Sequence, residues 1–305
     1  MKYQILGNSD LNVSNIGLGC MRMSSKTLAE AKQIINTALE CGINFFDHAD
    51  IYGKGQAEVI FGEAFKELGI ERSSVIIQTK CGINQGTFDF SKEHILKSVD
   101  ESLERLQTDY IDVLLLHRPD ALMEPEEINE AFKELKASGK VRWFGVSNQN
   151  PYQTQLLANS LDVPLLCNQV QFSIAHTPML DFGFNVNMGD GPAINRDGGI
   201  IEYARLNNMT LQAWSPFYSG YFDKVFVDHP DFPELNEAMS IVGKNYNISN
   251  EAVAVAWILR HPANIQTIIG SMNPERIQRI CQASEVKITH REWYDLYKAA
   301  GNRLP

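Results

Sequence analysis

Four side chains capable of acid–base chemistry stand where predicted strands give way to loops. Asp47 ends an apolar run, and Tyr52 lies in the loop that follows it. Lys80 and His117 each come directly after a later apolar run. A carboxylate at the end of a buried strand needs a charged or hydrogen-bonded partner. Polar residues at the carboxyl ends of parallel strands are typical of the catalytic face of an α/β barrel.

The four residue types supply complementary roles in a proton-transfer reaction. A tyrosine can act as a general acid at neutral pH if its pKa is lowered toward the working range. The ammonium of Lys80 would lower the pKa of Tyr52, and Asp47 would keep that lysine charged and in place. His117 could hydrogen-bond a substrate carbonyl oxygen and stabilise the charge that develops there. Any one of these residues alone is more often structural, so the set carries the argument.

Apolar runs separated by helical patterns predict eight strands along the chain. The predicted strands are 16–19, 43–46, 75–79, 110–116, 141–146, 165–171, 210–213 and 265–269. Strand and helix alternate without a break in composition, which favours a closed parallel barrel over two domains. We therefore predict a (β/α)8 TIM barrel that forms a single domain over residues 1–305.

Additions to the minimal barrel are predicted at both ends and in the second half. Segments 2–6 and 11–13 flank a Gly-Asn-Ser-Asp turn, which indicates a short N-terminal β-hairpin. An amphipathic stretch at 291–299 predicts an extra C-terminal helix. Residues 177–199 are long, contain Gly and Asn, and lack periodicity. A loop of this kind is either functional or mobile.

A second group of polar and aromatic residues suggests a binding surface for a flat polar ring. Ser147 and Asn148 come directly after the fifth strand, and Gln169 lies in the sixth. These groups could bond a carboxamide, or they could form a polar network that ties the strands together. The seventh strand runs into Trp214, which could stack on a flat ring.

The eighth strand runs into a loop suited to phosphate. Gly270 and Ser271 precede a helix that begins at Pro274 and carries Arg276 in its first turn. A helix N-terminus offers free N–H groups and a favourable dipole to phosphate, and barrels often bind phosphate after strands 7 and 8. The competing dinucleotide fingerprint at 17–22, Gly-Leu-Gly-Cys-Met-Arg, lacks its last glycine, so a Rossmann domain is not predicted.

Composition narrows the choice of partner and compartment. The net charge of −10 argues against nucleic acid or an anionic membrane as the main partner. The N-terminus is too polar for a signal peptide, and no apolar run approaches membrane-spanning length. The five cysteines are scattered without a Cys-x-x-Cys spacing, and the seven histidines form no metal-binding pattern. We expect a cytoplasmic protein with reduced cysteines and no metal site.

The chain resembles the aldo-keto reductase family over essentially its whole length. Segment 46–53, Phe-Asp-His-Ala-Asp-Ile-Tyr-Gly, looks like the Asp-Tyr signature of that family. A second signature is matched by 102–112 followed by Leu-Leu-Leu-His at 114–117. Later cofactor segments correspond to Gly-Val-Ser-Asn at 145–148 and Ile-Ile-Gly-Ser at 268–271.

The resemblance implies an NADPH-dependent oxidoreductase that reduces aldehydes or ketones to alcohols. Tyr52 would donate the proton while the nicotinamide delivers hydride to the carbonyl carbon. Lys80 and Asp47 would tune the acidity of Tyr52, and His117 would orient the carbonyl. The substrate is expected to be a small carbonyl compound, and the family makes a monomer the default.

The same resemblance implies a cofactor site for NADP(H). Its residues would be Gly19, Cys20, Met21, Asp47, Ser147, Asn148, Gln169, Trp214, Ser215, Pro216, Phe217, Gly270, Ser271, Asn273 and Arg276. Of these, Ser271, Asn273 and Arg276 would take the adenosine 2′-phosphate. Gly270 stands where many members have a basic residue, and Arg279 could either restore that charge or face solvent.

Two other functions compete with the reductase. A cofactor-binding redox sensor or regulatory subunit with little turnover is possible, but the full set of four catalytic residues favours an enzyme. A lyase or aldolase using Lys80 as a Schiff base is less favoured. The substrate pocket could be lined by Met21, Arg22, Tyr52, Cys81, Phe88 and the segment 177–199.

Overall fold

The computed structural model of the protein describes residues 1–221, 223–302 and 304–305. Its strands are β1 (Tyr3–Ile5), β2 (Asn12–Ser14), β3 (Ile16–Gly19), β4 (Phe45–Asp47), β5 (Ile76–Cys81), β6 (Ile83–Asn84), β7 (Thr87–Phe88), β8 (Ile111–Leu116), β9 (Val141–Ser147), β10 (Leu165–Gln171), β11 (Thr210–Trp214) and β12 (Gln266–Ile269). Its α-helices are α1 (Leu28–Glu40), α2 (Gln56–Leu68), α3 (Lys92–Leu106), α4 (Pro125–Ala137), α5 (Pro151–Ser160), α6 (Pro178–Phe184), α7 (Ile200–Leu206), α8 (Pro233–Tyr246), α9 (Asn250–Leu259), α10 (Pro274–Cys281) and α11 (His290–Ala299).

Parallel strands close into a barrel in the order β3-β4-β5-β8-β9-β10-β11-β12, with β12 paired back to β3. Strands β1 and β2 form the N-terminal antiparallel hairpin, and β6 and β7 form a second small one. This arrangement confirms the predicted (β/α)8 barrel with a leading hairpin and an additional helix, α11, at the C-terminal end.

The first barrel helix shows how local sequence sets these elements. Thr27 and Glu30 form a reciprocal capping box at the start of α1, which satisfies backbone N–H groups that a helix end leaves free. Ala31, Ile34 and Ile35 recur at helical spacing and are buried, so one face of the helix packs on the barrel.

The N-terminal hairpin closes the end of the barrel opposite the carboxyl ends of the strands. Its apolar side chains join barrel residues in a separate buried cluster: Leu6, Leu11, Val13, Phe45, Ile76, Val113, Leu115, Leu166, Cys167 and Ile268. Gly7 makes this closure possible, because a Cβ there would lie 2.3 Å from the carbonyl oxygen of Leu166. Its φ of +51° is also a backbone conformation that glycine adopts easily.

Four strands extend one or two residues further at their carboxyl ends than predicted. Strands β9 and β11 end at Ser147 and Trp214. Strand β4 ends at Asp47 rather than at Phe46, and β5 continues to Cys81. Lys80 therefore lies within β5, where it pairs with Leu115 of β8, rather than after it. Backbone pairing with the neighbouring strands continues through these polar residues. Apolar runs alone therefore place the ends of the strands too early.

The segment 177–199 is not the aperiodic loop that was predicted. It contains α6 and a 3₁₀ turn at Gly191–Ala193. Pro178 stands at the first helical position, which proline favours. Asp181 accepts hydrogen bonds from Thr177 (Oγ1, 2.8 Å) and from the Tyr297 hydroxyl of α11 (2.8 Å). A helix of seven residues is too short to show a clear periodicity in the sequence.

Within the described ranges, none of the helices combines the length and the apolar character that crossing a membrane requires.

Candidate active site

A cavity of about 610 Å³ opens at the carboxyl ends of the barrel strands. The predicted site residues on its walls are Gly19, Met21, Asp47, Tyr52, His117, Ser147, Asn148, Gln169, Trp214, Ser215, Pro216, Phe217, Gly270, Ser271 and Arg276. Three predicted residues are not on these walls. Lys80 lies behind Tyr52 and is fully buried, Cys20 is buried beside β4, and Asn273 caps α10.

The ammonium of Lys80 is held by three oxygen-bearing neighbours. Its Nζ lies 2.7 and 2.8 Å from the two carboxylate oxygens of Asp47, and 2.7 Å from the carbonyl oxygen of His48. It also donates to the Tyr52 hydroxyl at 3.2 Å. Burial by itself lowers the pKa of Lys80, but Asp47 and Tyr52 outweigh it and raise that pKa above its ordinary value. Lys80 is therefore charged at neutral pH.

Tyr52 is placed by a loop that is tied to β5. The backbone N–H of Asp50 donates to the carbonyl oxygen of Lys80 at 3.0 Å. Burial raises the pKa of the Tyr52 hydroxyl, and the Lys80 ammonium only partly opposes this. The net direction is opposite to the lowering expected from the sequence, because burial penalises the phenolate more than one ammonium stabilises it. Tyr52 thus keeps its proton at neutral pH and is available as an acid.

His117 faces Tyr52 across the cavity wall, with ring centroids 6.0 Å apart and an edge-on orientation. Burial, Lys80 and Arg118 lower the pKa of His117 to about 2, so the ring is neutral. Its Nδ1 is buried without a hydrogen-bond partner among the described residues. With no acceptor for a proton at Nδ1, the neutral ring can carry its proton on Nε2 and donate it to a ligand.

A layer of buried amides beneath the cavity holds Asp47 in position. Oδ1 of Asp47 accepts from Nε2 of Gln78 at 2.6 Å and from Nε2 of Gln169 at 3.0 Å. Gln212 exchanges hydrogen bonds with Gln78 at 2.9 and 3.1 Å. Gln78 and Gln212 were not predicted as site residues, although Gln78 stands two residues before Lys80 and so shares its face of the strand.

The polar residues predicted to hold a carboxamide also bond one another. Ser147 Oγ donates to the Gln169 carbonyl oxygen at 2.9 Å, and Asn148 Nδ2 donates to Ser147 Oγ at 2.7 Å. Trp214 Nε1 donates to Asn148 Oδ1 at 3.2 Å. Asn148 and Ser215 have φ values of +57° and +50°, and such backbone conformations cluster at functional sites. The network ties β9, β10 and β11 together while it lines the cavity.

The far end of the cavity contains the start of α10. Asn273 caps that helix by accepting from the Arg276 backbone N–H at 2.9 Å, so its side-chain oxygen is already engaged. Nε of Arg276 lies 3.4 Å from Oε1 of Glu251. The Arg276 guanidinium also lies 5.3 Å from the centroid of the Phe217 ring, within the range of a cation–π contact.

Two further arginines line the cavity. Arg22 donates to the Gly270 carbonyl oxygen at 3.0 Å and to the Tyr218 hydroxyl at 2.9 Å, so it joins three loops. Arg22 was predicted only as a possible lining residue of the substrate pocket, and Arg118 was not predicted. The available signal for Arg118 was its position directly after His117 at a strand end.

The rest of the expected substrate lining is placed differently. Cys81 is buried, and Phe88 is exposed on β7; Ile83 of β6 reaches the cavity instead. Helix α6, from the segment 177–199, lines a separate cavity of about 390 Å³ together with α7 and α11.

The sequence profile of the aldo/keto reductase family matches residues 15–300. The chain belongs to the aldo-keto reductase family. Oxidoreductase YdhF of Escherichia coli is 37% identical, with 91% of this chain and 89% of that protein covered. A 6-dehydroglucose reductase of Agrobacterium fabrum is 32% identical, with 95% of each chain covered. A crystal structure of the thermostable aldo-keto reductase Tm1743 shares the fold, with a TM-score of 0.79 and 24% identity over 98% of this chain and 100% of that one.

Membership in the aldo-keto reductases makes this protein an oxidoreductase, and reductases of this family generally use a nicotinamide cofactor. Across the described parts of this aldo-keto reductase, no three His, Cys, Asp or Glu residues are grouped so that they could hold a metal ion.

Proposed function

We propose that this protein uses NADPH to reduce the carbonyl group of an aldehyde or ketone to an alcohol. The observation that carries the proposal is the contact between the buried Lys80 ammonium and the hydroxyl of Tyr52. Tyr52 and His117 both line the cavity. A protonated phenol backed by a fixed positive charge is suited to proton donation to an oxygen that gains negative charge.

Each residue has a distinct part in that reaction. The nicotinamide, when bound, supplies the hydride that the carbonyl carbon takes up. Tyr52 gives its proton to the carbonyl oxygen, and Lys80 stabilises the phenolate that remains until solvent restores the proton. Asp47 keeps Lys80 charged and in place. His117, neutral in this site, donates a hydrogen bond to the carbonyl oxygen and orients it.

The cavity offers groups suited to each part of NADPH. Trp214 presents an aromatic ring for stacking, and the amides of Asn148 and Gln169 lie on the same walls for the carboxamide. The N-terminus of α10 and Arg276 provide N–H groups and positive charge for phosphate. Nε of Arg276 faces the Glu251 carboxylate at 3.4 Å, so binding of an anion would fall to the terminal nitrogens of this guanidinium.

The test combines binding and turnover. Tryptophan fluorescence would follow titrations with NADPH and with NADH, and loss of NADPH absorbance would follow turnover with a panel of aldehydes, ketones and dicarbonyls. We expect tighter binding of NADPH and measurable oxidation that depends on the carbonyl substrate. Binding without oxidation across the panel would overturn the reductase and favour a cofactor-binding sensor or regulatory subunit.

We also propose that the protein acts as a monomer in the cytoplasm. Light scattering during size-exclusion chromatography would check the first point, since a dimer would double the measured mass from 34.3 kDa. Fractionation of cells that express the tagged protein would check the second.

A further inference from the structure

The active-site cavity has an excess of positive charge in a protein whose net charge is −10. Arg22, Arg118 and Arg276 all lie on its walls. Asp47 is the one carboxylate that the described part of the chain contributes to these walls. Both of its oxygens already face the Lys80 ammonium. The cavity is therefore built for a ligand with negative charge.

Two of the three arginines are accounted for by other contacts. Both terminal nitrogens of Arg22 donate hydrogen bonds, one to the Gly270 carbonyl oxygen and one to the Tyr218 hydroxyl. Arg276 lies at the phosphate end of the cavity, beside Glu251. Arg118 differs from both, since its guanidinium forms neither a hydrogen bond nor an ion pair with any residue that the structure describes.

Aromatic rings hold the Arg118 guanidinium in the cavity. Its central carbon lies 5.8 Å from the centroid of the Trp214 ring and 5.6 Å from that of Tyr221. Both distances fall in the range of cation–π contacts. Such contacts position a guanidinium by its face and leave its N–H groups free to bind an acceptor.

Arg118 also lies at the end of the cavity that contains the proposed catalytic residues. It follows His117 directly in the chain, and His117 faces Tyr52. The phosphate groups of a dinucleotide would lie toward α10, at the other end. An anion bound by Arg118 would therefore belong to the substrate rather than to the cofactor.

We propose that Arg118 selects carbonyl substrates that carry a carboxylate. This inference rests on the proposed reductase function, because it assigns the substrate class of the same site. A guanidinium binds a carboxylate through two parallel N–H···O bonds. The carbonyl would then be oriented from both sides, by His117 at its oxygen and by Arg118 at the distant carboxylate.

The first arm of the test measures binding and needs no turnover. Calorimetry would compare 4-(hydroxymethyl)benzoate with its methyl ester on the NADP⁺-loaded protein. We expect the carboxylate to bind about 10- to 100-fold more tightly, the range for hydrogen bonds to a charged group. Arg118→Met should remove that preference, and Arg118→Lys should restore part of it. Arg22→Met is the matched control, since losing this arginine should affect both ligands equally.

The second arm compares kcat/KM for 4-formylbenzoate and methyl 4-formylbenzoate in the same proteins. A carboxylate preference that is lost in Arg118→Met and kept in Arg22→Met supports the inference. Equal binding of carboxylate and ester by the wild-type protein overturns it, as does a preference that survives in Arg118→Met. A binding preference without oxidation of NADPH supports the role of Arg118 but refutes the reductase, so the two failures are distinguishable.

Discussion

Nζ of Lys80 lies 2.7 Å from Oδ1 of Asp47, and the two side chains are almost completely shielded from solvent. Lys80 is 0% exposed and Asp47 is 3% exposed. At such burial an ion pair contributes little net stability over an apolar pair, but either charge alone is costly. The two charges are therefore coupled: removing one leaves the other buried without a partner, which lowers the stability of the fold.

Replacing Lys80 by Met should lower the free energy of unfolding by about 3–5 kcal/mol, because it leaves the Asp47 carboxylate buried without a counter-charge. Urea unfolding followed by circular dichroism would measure this. The double variant Lys80→Met/Asp47→Asn should recover part of the loss, since the Asn oxygen can still accept from Gln78 and Gln169. A loss of stability in the double variant equal to the sum of the losses in Lys80→Met and Asp47→Asn would contradict the coupling.

Replacing Tyr52 by Phe should lower kcat by about 10²- to 10⁴-fold, the usual contribution of a general acid. The aromatic ring remains, so NADPH binding should change little. Stopped-flow hydride transfer would separate the chemical step from binding and release. A variant that turns over as fast as the wild-type protein, or that loses only substrate affinity, would show that another group donates the proton.

Much of the barrel could be predicted from the sequence because its strands are buried on both faces and read as apolar runs. Strands β3 and β10 have the predicted bounds, 16–19 and 165–171. The runs ended too early at Asp47 and Lys80, since polar side chains inside a barrel interrupt the apolar pattern without ending the strand.

The contacts within the site could not be predicted in the same way. Whether the amide of Gln169 faces the cavity or Asp47 depends on neighbours from other strands, such as Gln212. The net effect on the pKa of Tyr52 depends on its degree of burial, which spacing does not report. Helix α6 was missed because it is short and its stabilising contact with Tyr297 comes from the far end of the chain.

Replacing Arg276 by Met should weaken NADPH binding by about tenfold, which corresponds to one charge-assisted hydrogen bond, and should affect NADH much less. Arg279→Met is the control on the same helix, because Arg279 shares the Glu251 contact at 3.6 Å but does not line the cavity. Fluorescence titration would measure the affinity of each variant for NADPH and for NADH. An equal loss in the two variants would assign the phosphate to the general charge of α10 rather than to Arg276.

Asp50 is a carboxyl group whose surroundings favour the neutral form. Its backbone N–H bonds Lys80, but its Oδ1 is buried without a partner among the described residues. Burial and the nearby Glu58 carboxylate raise the pKa of Asp50 to about 7, and Arg105 opposes this only in part. Arg105 is already engaged, since its Nε donates to Glu58 at 2.8 Å.

This raised pKa gives a stability change of defined sign. In the unfolded chain an aspartate titrates near pH 4, so the folded state binds the extra proton between about pH 4 and 7. The contribution of Asp50 to stability is therefore complete below that window and is lost as the pH rises through it. Asp50→Asn stays neutral, so its stability relative to the wild-type protein should rise by on the order of 2 kcal/mol between pH 5 and 8.

Thermal or urea unfolding at several pH values would measure the difference between the two proteins. Asp89→Asn provides the control, because a hydrogen bond with Ser91 lowers the pKa of Asp89 and places its titration below this window. The difference between that variant and the wild-type protein should stay constant from pH 5 to 8. If the difference between Asp50→Asn and the wild-type protein is also constant from pH 5 to 8, Asp50 is ionised in the folded protein throughout this range. Burial and the Glu58 carboxylate then do not raise its pKa.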